Sequence, residues 1–245
     1  IMTKNWVLCG LVVLLSACSK EVTVSDCFAV TTGALIDKVV VTEGGLITTY
    51  SYTYDGDGDL SKVIVSYNDQ EPPMQFDFVR SSDSLIEITD DIYTHSLSLN
   101  HAGCLEEYTM CYDSEVTTTF DFEYDNSVLK NVVCGPELTV SYEWNGDDIA
   151  AIYNAAKDIR HEYQYTDIID NFNIAIPQLT HIFALPFPFF DKKGITSCHL
   201  QASSSHDVDG RSSHRQLTYE RNAAGDICLI KSSDGKTWEV VYYRK

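Results

Sequence analysis

The sequence predicts an all-β protein built as a single large, strongly curved antiparallel β-meander. Aromatic residues at Tyr50, Tyr52 and Tyr54 alternate with Thr and Ser, which is the period-two pattern of a half-buried strand. Residues 55–59 combine three Asp with two Gly, a composition typical of a tight turn. Leu60 and Val63 then begin a second apolar stretch, so the phrase indicates a β-hairpin. Looser copies of this hairpin recur along the chain.

The recurrence has a nearly fixed interval. The aromatic or apolar residues that end successive copies are Tyr54, Phe78, Leu99, Tyr124, Trp144 and Tyr165. They are separated by 24, 21, 25, 20 and 21 positions, about the length of two strands and two turns. Such periodicity is typical of a repeat architecture.

Sixteen strands are predicted in order along the chain. They cover residues 35–42, 46–54, 60–67, 74–79, 84–89, 93–99, 105–112, 116–124, 128–133, 138–144, 149–153, 160–166, 195–203, 215–220, 227–231 and 237–243. Short turns between consecutive strands favour antiparallel neighbours. The sequence leaves open whether the curved sheet closes into a barrel.

Residues 168–190 interrupt the pattern. This apolar segment holds three prolines and five of the ten Phe residues in the chain. Pro177 suits the first turn of a short helix that places Leu179 and Phe183 on one face. Exposing five Phe together would cost a large part of a domain's stability. We therefore expect the segment to cross the concave face of the sheet as a short helical or loop plug.

The N-terminus predicts export and lipidation. Residues 6–15 are apolar, too short to span a bilayer and typical of a signal-peptide core. The following Leu15-Ser16-Ala17-Cys18 resembles the lipobox of bacterial lipoproteins, in which the cysteine after the cleavage site is acylated. The predicted organisation is a signal peptide at 1–17, a lipidated N-terminus and tether at 18–34 and a β-meander domain at 35–245. An ordinary secretory signal with a chance cysteine is the alternative.

The composition excludes some partners. With 36 acidic and 17 basic residues the net charge is −19, which repels nucleic acid and disfavours anionic membranes. Six cysteines follow Cys18, and no zinc-binding spacing links them. A full set of disulfides and a mixed or absent set both stay open. These cysteines are Cys27, Cys104, Cys111, Cys134, Cys198 and Cys228.

Two motifs carry the residue types of a site. Asp55, Asp57 and Asp59 resemble the start of a calcium-binding EF-hand loop, but Gly and Glu are missing from its sixth and twelfth positions, so a turn is favoured. His206 and Asp207 lie beside three serines, but adjacent residues do not converge as catalytic triad members do, and we interpret them as a solvated turn. We therefore predict no catalytic, cofactor-binding or metal-binding residue, and no cofactor.

The aromatic stripes have two interpretations. Most Tyr and Trp side chains at these positions pack in the core or in cross-strand pairs. Trp144 and Trp238 are the residues expected to be exceptions, exposed for stacking on a sugar or peptide.

The hairpin motif Tyr-x-Tyr-Asp-x-x-Gly-x-Leu-x-x-Val, the lipobox and residues 163–167 together resemble an uncharacterised family of Bacteroidetes lipoproteins with a porin-like β fold. The same hairpins are similar to the YD repeats of β-shell proteins. Ser19-Lys20-Glu21 resembles the signal that sends such lipoproteins to the cell surface.

The resemblance implies no assigned activity. We expect a lipid-anchored, surface-exposed outer-membrane protein that is not an enzyme. Its expected role is structural or binding, with a glycan, a peptide or another envelope protein as ligand, and no nucleic acid. A periplasm-facing carrier of a lipid or other apolar ligand is the alternative, and a hydrolase is a more distant one. An integral outer-membrane barrel is disfavoured.

Overall fold

The chain forms a closed barrel of sixteen antiparallel strands, in which each strand pairs with its sequence neighbours and the first strand pairs with the last. The computed structural model describes residues 34–68, 72–101, 103–125, 128–135, 138–154, 156, 158–170, 172, 199–208 and 210–243. Sequential pairing through short turns produces this up-and-down order without crossovers. The sheet therefore closes, which the sequence had left open.

The strands are β1 (Ile36–Glu43), β2 (Leu46–Tyr54), β3 (Leu60–Tyr67), β4 (Met74–Ser82), β5 (Leu85–Thr89), β6 (Tyr93–Leu99), β7 (Leu105–Tyr112), β8 (Glu115–Asp125), β9 (Val128–Cys134), β10 (Leu138–Asn145), β11 (Asp148–Asn154), β12 (Ile159–Ile169), β13 (His199–Val208), β14 (Arg211–Arg221), β15 (Ile227–Ser232) and β16 (Thr237–Tyr242). Each overlaps one of the sixteen predicted strands. Within the described residues, no helix is long and apolar enough to cross a membrane.

The turn predicted over residues 206–211 is shorter in the structure, where His206, Asp207 and Val208 belong to a strand. Strand β13 continues to Val208 and β14 begins at Arg211, with His206 opposite Ser213 in a regular ladder. Inward-facing positions at this end of the two strands carry His and Ser rather than apolar residues, which is why the pattern resembled a turn.

The barrel is apolar inside and polar outside. Val63 and Val65 are almost fully buried, whereas Lys62 and Ser66, their neighbours along β3, are on the outward face. The same alternation holds around the barrel, so the inward side chains of all sixteen strands contribute to one buried cluster. Its largest fully buried members are Trp238, Tyr52, Tyr108, Phe172, Ile36, Ile88, Leu129, Ile152 and Ile227.

A β-bulge near the start of several odd-numbered strands explains the Leu-x-x-Val spacing. In the β2–β3 hairpin, Thr53 lies opposite Lys62 and Tyr54 opposite Leu60, so Ser61 is the extra residue. The bulge brings Leu60 and Val63 to the same inward face although three positions separate them. The β8–β9, β10–β11 and β14–β15 pairs repeat this shift at the same end of the barrel.

The aromatic residue that ends an even-numbered strand also ties that strand to the preceding one. The hydroxyl of Tyr54 donates to the carbonyl of Ile36 at 3.0 Å, and that of Tyr124 donates to the carbonyl of Leu105 at 2.6 Å. Burial raises the pKa of Tyr124 well above its usual range, so the phenol stays protonated as the donor. Equivalent bonds join Trp144 to Leu129, Tyr219 to Gln201 and Tyr242 to Ile227.

The strands β1 and β16 close the barrel with a full ladder. Their pairing runs from Ile36 opposite Tyr242 to Thr42 opposite Thr237. Beyond the ladder, the Tyr243 hydroxyl donates to the carbonyl of Tyr52 at 2.7 Å. The Lys236 ammonium meets Glu43 at 2.7 Å at the other end of this seam.

Four cysteines are described, and they are Cys104, Cys111, Cys134 and Cys228. No disulfide joins these four to one another, while Cys27 and Cys198 lie outside the described residues. The predicted plug also lies outside them, apart from the first residues of the segment. Among those, Phe172 is 2% exposed and belongs to the buried cluster.

Candidate functional site

The two rims of the barrel differ in their connections and in their exposed side chains. Because every hairpin reverses the chain, the connections alternate between the rims. The near rim is the end of the barrel where β1 begins, where β16 ends and where β12 is followed by β13 in the chain. The far rim holds the turns at 43–46, 67–74, 89–93, 112–115, 134–138, 154–159, 208–211 and 232–237. The expected tether, residues 18–34, would therefore lead to the near rim.

The acidic loop at the near rim is a turn, as its sequence indicated, and not an open calcium loop. Asp55 accepts backbone hydrogen bonds through Oδ1 from Asp57 at 3.0 Å and Asp59 at 2.9 Å. Gly58 adopts a φ of 90°, which closes the turn. Asn222 makes the same two bonds, to Ala224 and Asp226, in the β14–β15 turn. Among the described residues, no group of three or more His, Cys, Asp or Glu is placed to hold a metal ion.

The far rim carries most of the exposed large hydrophobic side chains. Of the twelve among the described residues, eight lie at this rim, and seven of these follow one another from β2 to β8. We call these seven the apolar arc: Leu46, Ile47, Tyr67, Met74, Ile92, Tyr112 and Val116. Isolated exposed apolar residues are ordinary, whereas a concentration on one rim indicates a contact surface.

Acidic residues are interleaved with the apolar arc. Asp90 and Asp91 directly precede Ile92 in one turn, and Asp113 and Glu115 lie between Tyr112 and Val116 in the next. Asp113 and Ser114 both have positive φ, 48° and 66°, in a two-residue hairpin turn where glycine would be free of strain. The rim thus presents aromatic faces beside carboxylates, a combination that suits hydroxyl-rich or cationic ligands.

A stack of aromatic rings leads from the arc into the barrel. The ring of Tyr112 lies 5.8 Å from that of Tyr93, which lies 6.1 Å from His95. His95 stacks on Tyr108 at 6.0 Å, and its Nδ1 is 2.9 Å from the Tyr108 hydroxyl. This continuous packing fixes the position of Tyr112 at the rim.

Asp90 joins the rim to this buried histidine. Its Oδ1 accepts the backbone N–H groups of Ile92 and Tyr93 at 2.7 and 2.6 Å, and its Oδ2 lies 3.5 Å from His95 Nε2. Burial lowers the pKa of His95, and the Asp90 carboxylate opposes this by favouring the protonated ring. No sequence pattern predicts this arrangement, because Asp90 and His95 become neighbours only when the hairpin forms.

His206 and Asp207 do not form a triad, because successive residues of a strand point to opposite faces. Asp207 is directed outward and accepts a hydrogen bond from Ser212. His206 is directed inward, where its Nδ1 contacts Nδ1 of His161 and its Nε2 lies 3.2 Å from Ser204 Oγ. Burial, His161 and Arg215 together lower the pKa of His206 to about 4. The interpretation of His206 as part of a solvated turn is therefore wrong.

The expectation for Trp238 is also wrong, since its side chain is 0% exposed. The Arg215 guanidinium and the Lys236 ammonium lie 6.0 and 5.6 Å from its ring. Trp144 is partly buried, and its Nε1 donates to the carbonyl of Leu129 at 2.6 Å. Neither indole is presented as a free stacking surface.

The barrel is shared with two solved structures. A porin-like protein from Bacteroides uniformis ATCC 8492 superposes with a TM-score of 0.68 at 13% identity, over 85% of this chain and 98% of that one. A porin-like protein from Bacteroides vulgatus ATCC 8482 superposes with a TM-score of 0.61 at 11% identity, over 87% of this chain and 100% of that one. The chain has a porin-like barrel fold. At these identities, the likeness establishes the porin-like fold alone.

The porin-like barrel confirms the predicted all-β fold class and the predicted resemblance to a porin-like fold. The sequence of this chain matches no protein-family model and no curated protein. Acylation of Cys18 stays a prediction, because residues 1–33 lie outside the described part of the chain.

Proposed function

We propose that this chain is a lipid-anchored envelope protein whose far rim binds a ligand without catalysis. The observation that carries the proposal is the concentration of exposed apolar residues in the apolar arc, at the rim opposite the one where the tether enters. An anchor on Cys18 would hold the near rim toward the membrane and present the arc outward, at the surface of the outer membrane. The porin-like neighbours from Bacteroides support an envelope location.

The polarity of the barrel supports an anchored protein over a spanning one. Transmembrane barrels have an outward apolar band, whereas here the outward positions of β2 and β3 include Thr49, Ser51, Lys62 and Ser66. Inward apolar side chains pack into one buried cluster. That packing favours a ligand at the rim over one carried inside, so it favours the binding role over the apolar-ligand carrier.

A neutral glycan is the ligand class that suits the arc best. Tyr67 and Tyr112 are 46% and 54% exposed, and aromatic faces stack on the apolar faces of sugar rings. Neighbouring carboxylates can accept sugar hydroxyl hydrogen bonds. The net charge of −19 disfavours acidic polysaccharides. Peptides and partner envelope proteins are the other ligands that the test must distinguish.

Affinity electrophoresis through gels containing neutral polysaccharides, such as a β-glucan, a xylan or a mannan, tests this role. We expect at least one gel to retard the wild-type chain, and the Tyr67→Ala/Tyr112→Ala double variant to lose most of that retardation. Val79→Ser is the matched control, because Val79 is 56% exposed but lies outside the arc. Equal retardation of the wild type and the double variant, or none in any gel, would contradict glycan binding at the rim.

The anchor is tested separately. Cys18→Ala should abolish acylation and leave either unprocessed precursor or a soluble secreted form, because the lipid is attached through that thiol. Metabolic labelling with an alkyne fatty acid and fractionation of the cells measure both effects. An acylated Cys18→Ala variant at wild-type level in the membrane fraction would show that the anchor lies elsewhere.

A further inference from the structure

The second cluster of interest lies inside the barrel, on β12 and β13. His161 and His206 are opposite each other in the ladder, both directed inward, two positions from the far rim. Their rings meet edge to face with centroids 4.6 Å apart, and the two Nδ1 atoms are in contact. Both side chains are partly buried.

We propose that His161 and His206 form a binding site for a first-row divalent transition metal such as Zn²⁺, with water completing the coordination. Imidazole nitrogen is a preferred ligand of such ions, at about 2.0–2.1 Å. Tetrahedral binding by both rings needs the two Nδ1 atoms roughly 3.3 Å apart, so the rings must turn slightly out of their present contact to admit the ion. The pair lies across the barrel wall from the apolar arc and does not depend on the glycan proposal.

Ser204 supplies the second feature of a metal site. Its Oγ is 3.2 Å from His206 Nε2 and is itself 1% exposed. A histidine that binds metal through one nitrogen donates its other N–H to a fixed oxygen, which selects the tautomer. With the proton on Nε2, donated to Ser204, the lone pair of His206 Nδ1 is directed toward His161.

Arg215 lies opposite Ser204 in the β13–β14 ladder, and its positive charge opposes a bound cation. The site is therefore expected to bind a metal ion more weakly than a site that includes a carboxylate.

The test is isothermal titration of the metal-free mature chain with ZnCl₂ at pH 7.5. We expect one site, and at least a tenfold loss of affinity in both His161→Gln and His206→Gln. His214→Gln is the control, because His214 is an exposed outward residue of β14 next to the pair and should leave binding unchanged. Circular dichroism of each variant checks that the barrel is intact.

Long-range ¹H–¹⁵N spectra of the histidine rings give a readout that does not depend on the variants. Zn²⁺ should shift the Nδ1 resonances of His161 and His206 and leave those of His95 in place. The proposal is overturned if the wild type binds no Zn²⁺, if His161→Gln and His206→Gln keep the wild-type affinity, or if the shifted nitrogens are Nε2.

Discussion

Val63→Asp is expected to destabilise the barrel by about 4 kcal/mol or more, because it places a charge in the packed interior. Val63 is 0% exposed and lies between Tyr52 and Phe76 on the inward face. The matched control is the adjacent Ile64→Asp, which faces outward between Ser51 and Gln75. Ile64 is partly exposed, and we expect Ile64→Asp to cost much less than Val63→Asp, about 1–2 kcal/mol, since its charge can reach water.

Urea unfolding of the two variants, followed by circular dichroism, measures the difference. Equal losses of stability at the two positions would show that the outward face is also buried, by lipid or by another chain. The comparison therefore tests whether the barrel is apolar inside and polar outside, which is the polarity on which the envelope proposal depends.

Trp238→Ala should cost about 3–5 kcal/mol, because it removes the largest fully buried side chain and leaves a cavity. It also removes the ring beneath Arg215 and Lys236, two cations near the inward face. Trp238→Phe keeps an aromatic ring there and should cost much less, roughly 1–2 kcal/mol. Thermal and urea unfolding give both values. A loss below about 1 kcal/mol in Trp238→Ala would restore the interpretation of this residue as an exposed binding group.

Local patterning was sufficient to predict the strands. Alternation at Tyr50, Tyr52 and Tyr54 and the turn chemistry of 55–59 predict the β2–β3 hairpin because both signals are local in sequence. The same logic failed at residues 206–208, which were assigned to a turn but continue β13, because His206 occupies a position where an apolar inward residue would be expected. Sequence patterns assign polar residues to the surface, and a strand whose inward positions are His and Ser violates that rule.

The residues of the candidate sites come together only in the closed barrel, so the sequence alone does not reveal these sites. The apolar arc unites residues from Leu46 to Val116 that share only their position at the far rim, so no spacing in the sequence identifies it. His161 and His206 are 45 positions apart and become partners through the β12–β13 register. Trp238 is buried because closure places β16 between β15 and β1, a neighbourhood that no local sequence pattern shows.

The seam between β1 and β16 sets the order of events when the protein is made. The strand that the ribosome produces first must wait for the strand that it produces last, some 200 residues later, before its second edge is covered. Until then both edges of the growing sheet present unpaired backbone groups, which are templates for aggregation. The barrel is therefore completed only after the residues of β16 have been made. Truncation before β16 would leave β1 without one of its two partners and the barrel open.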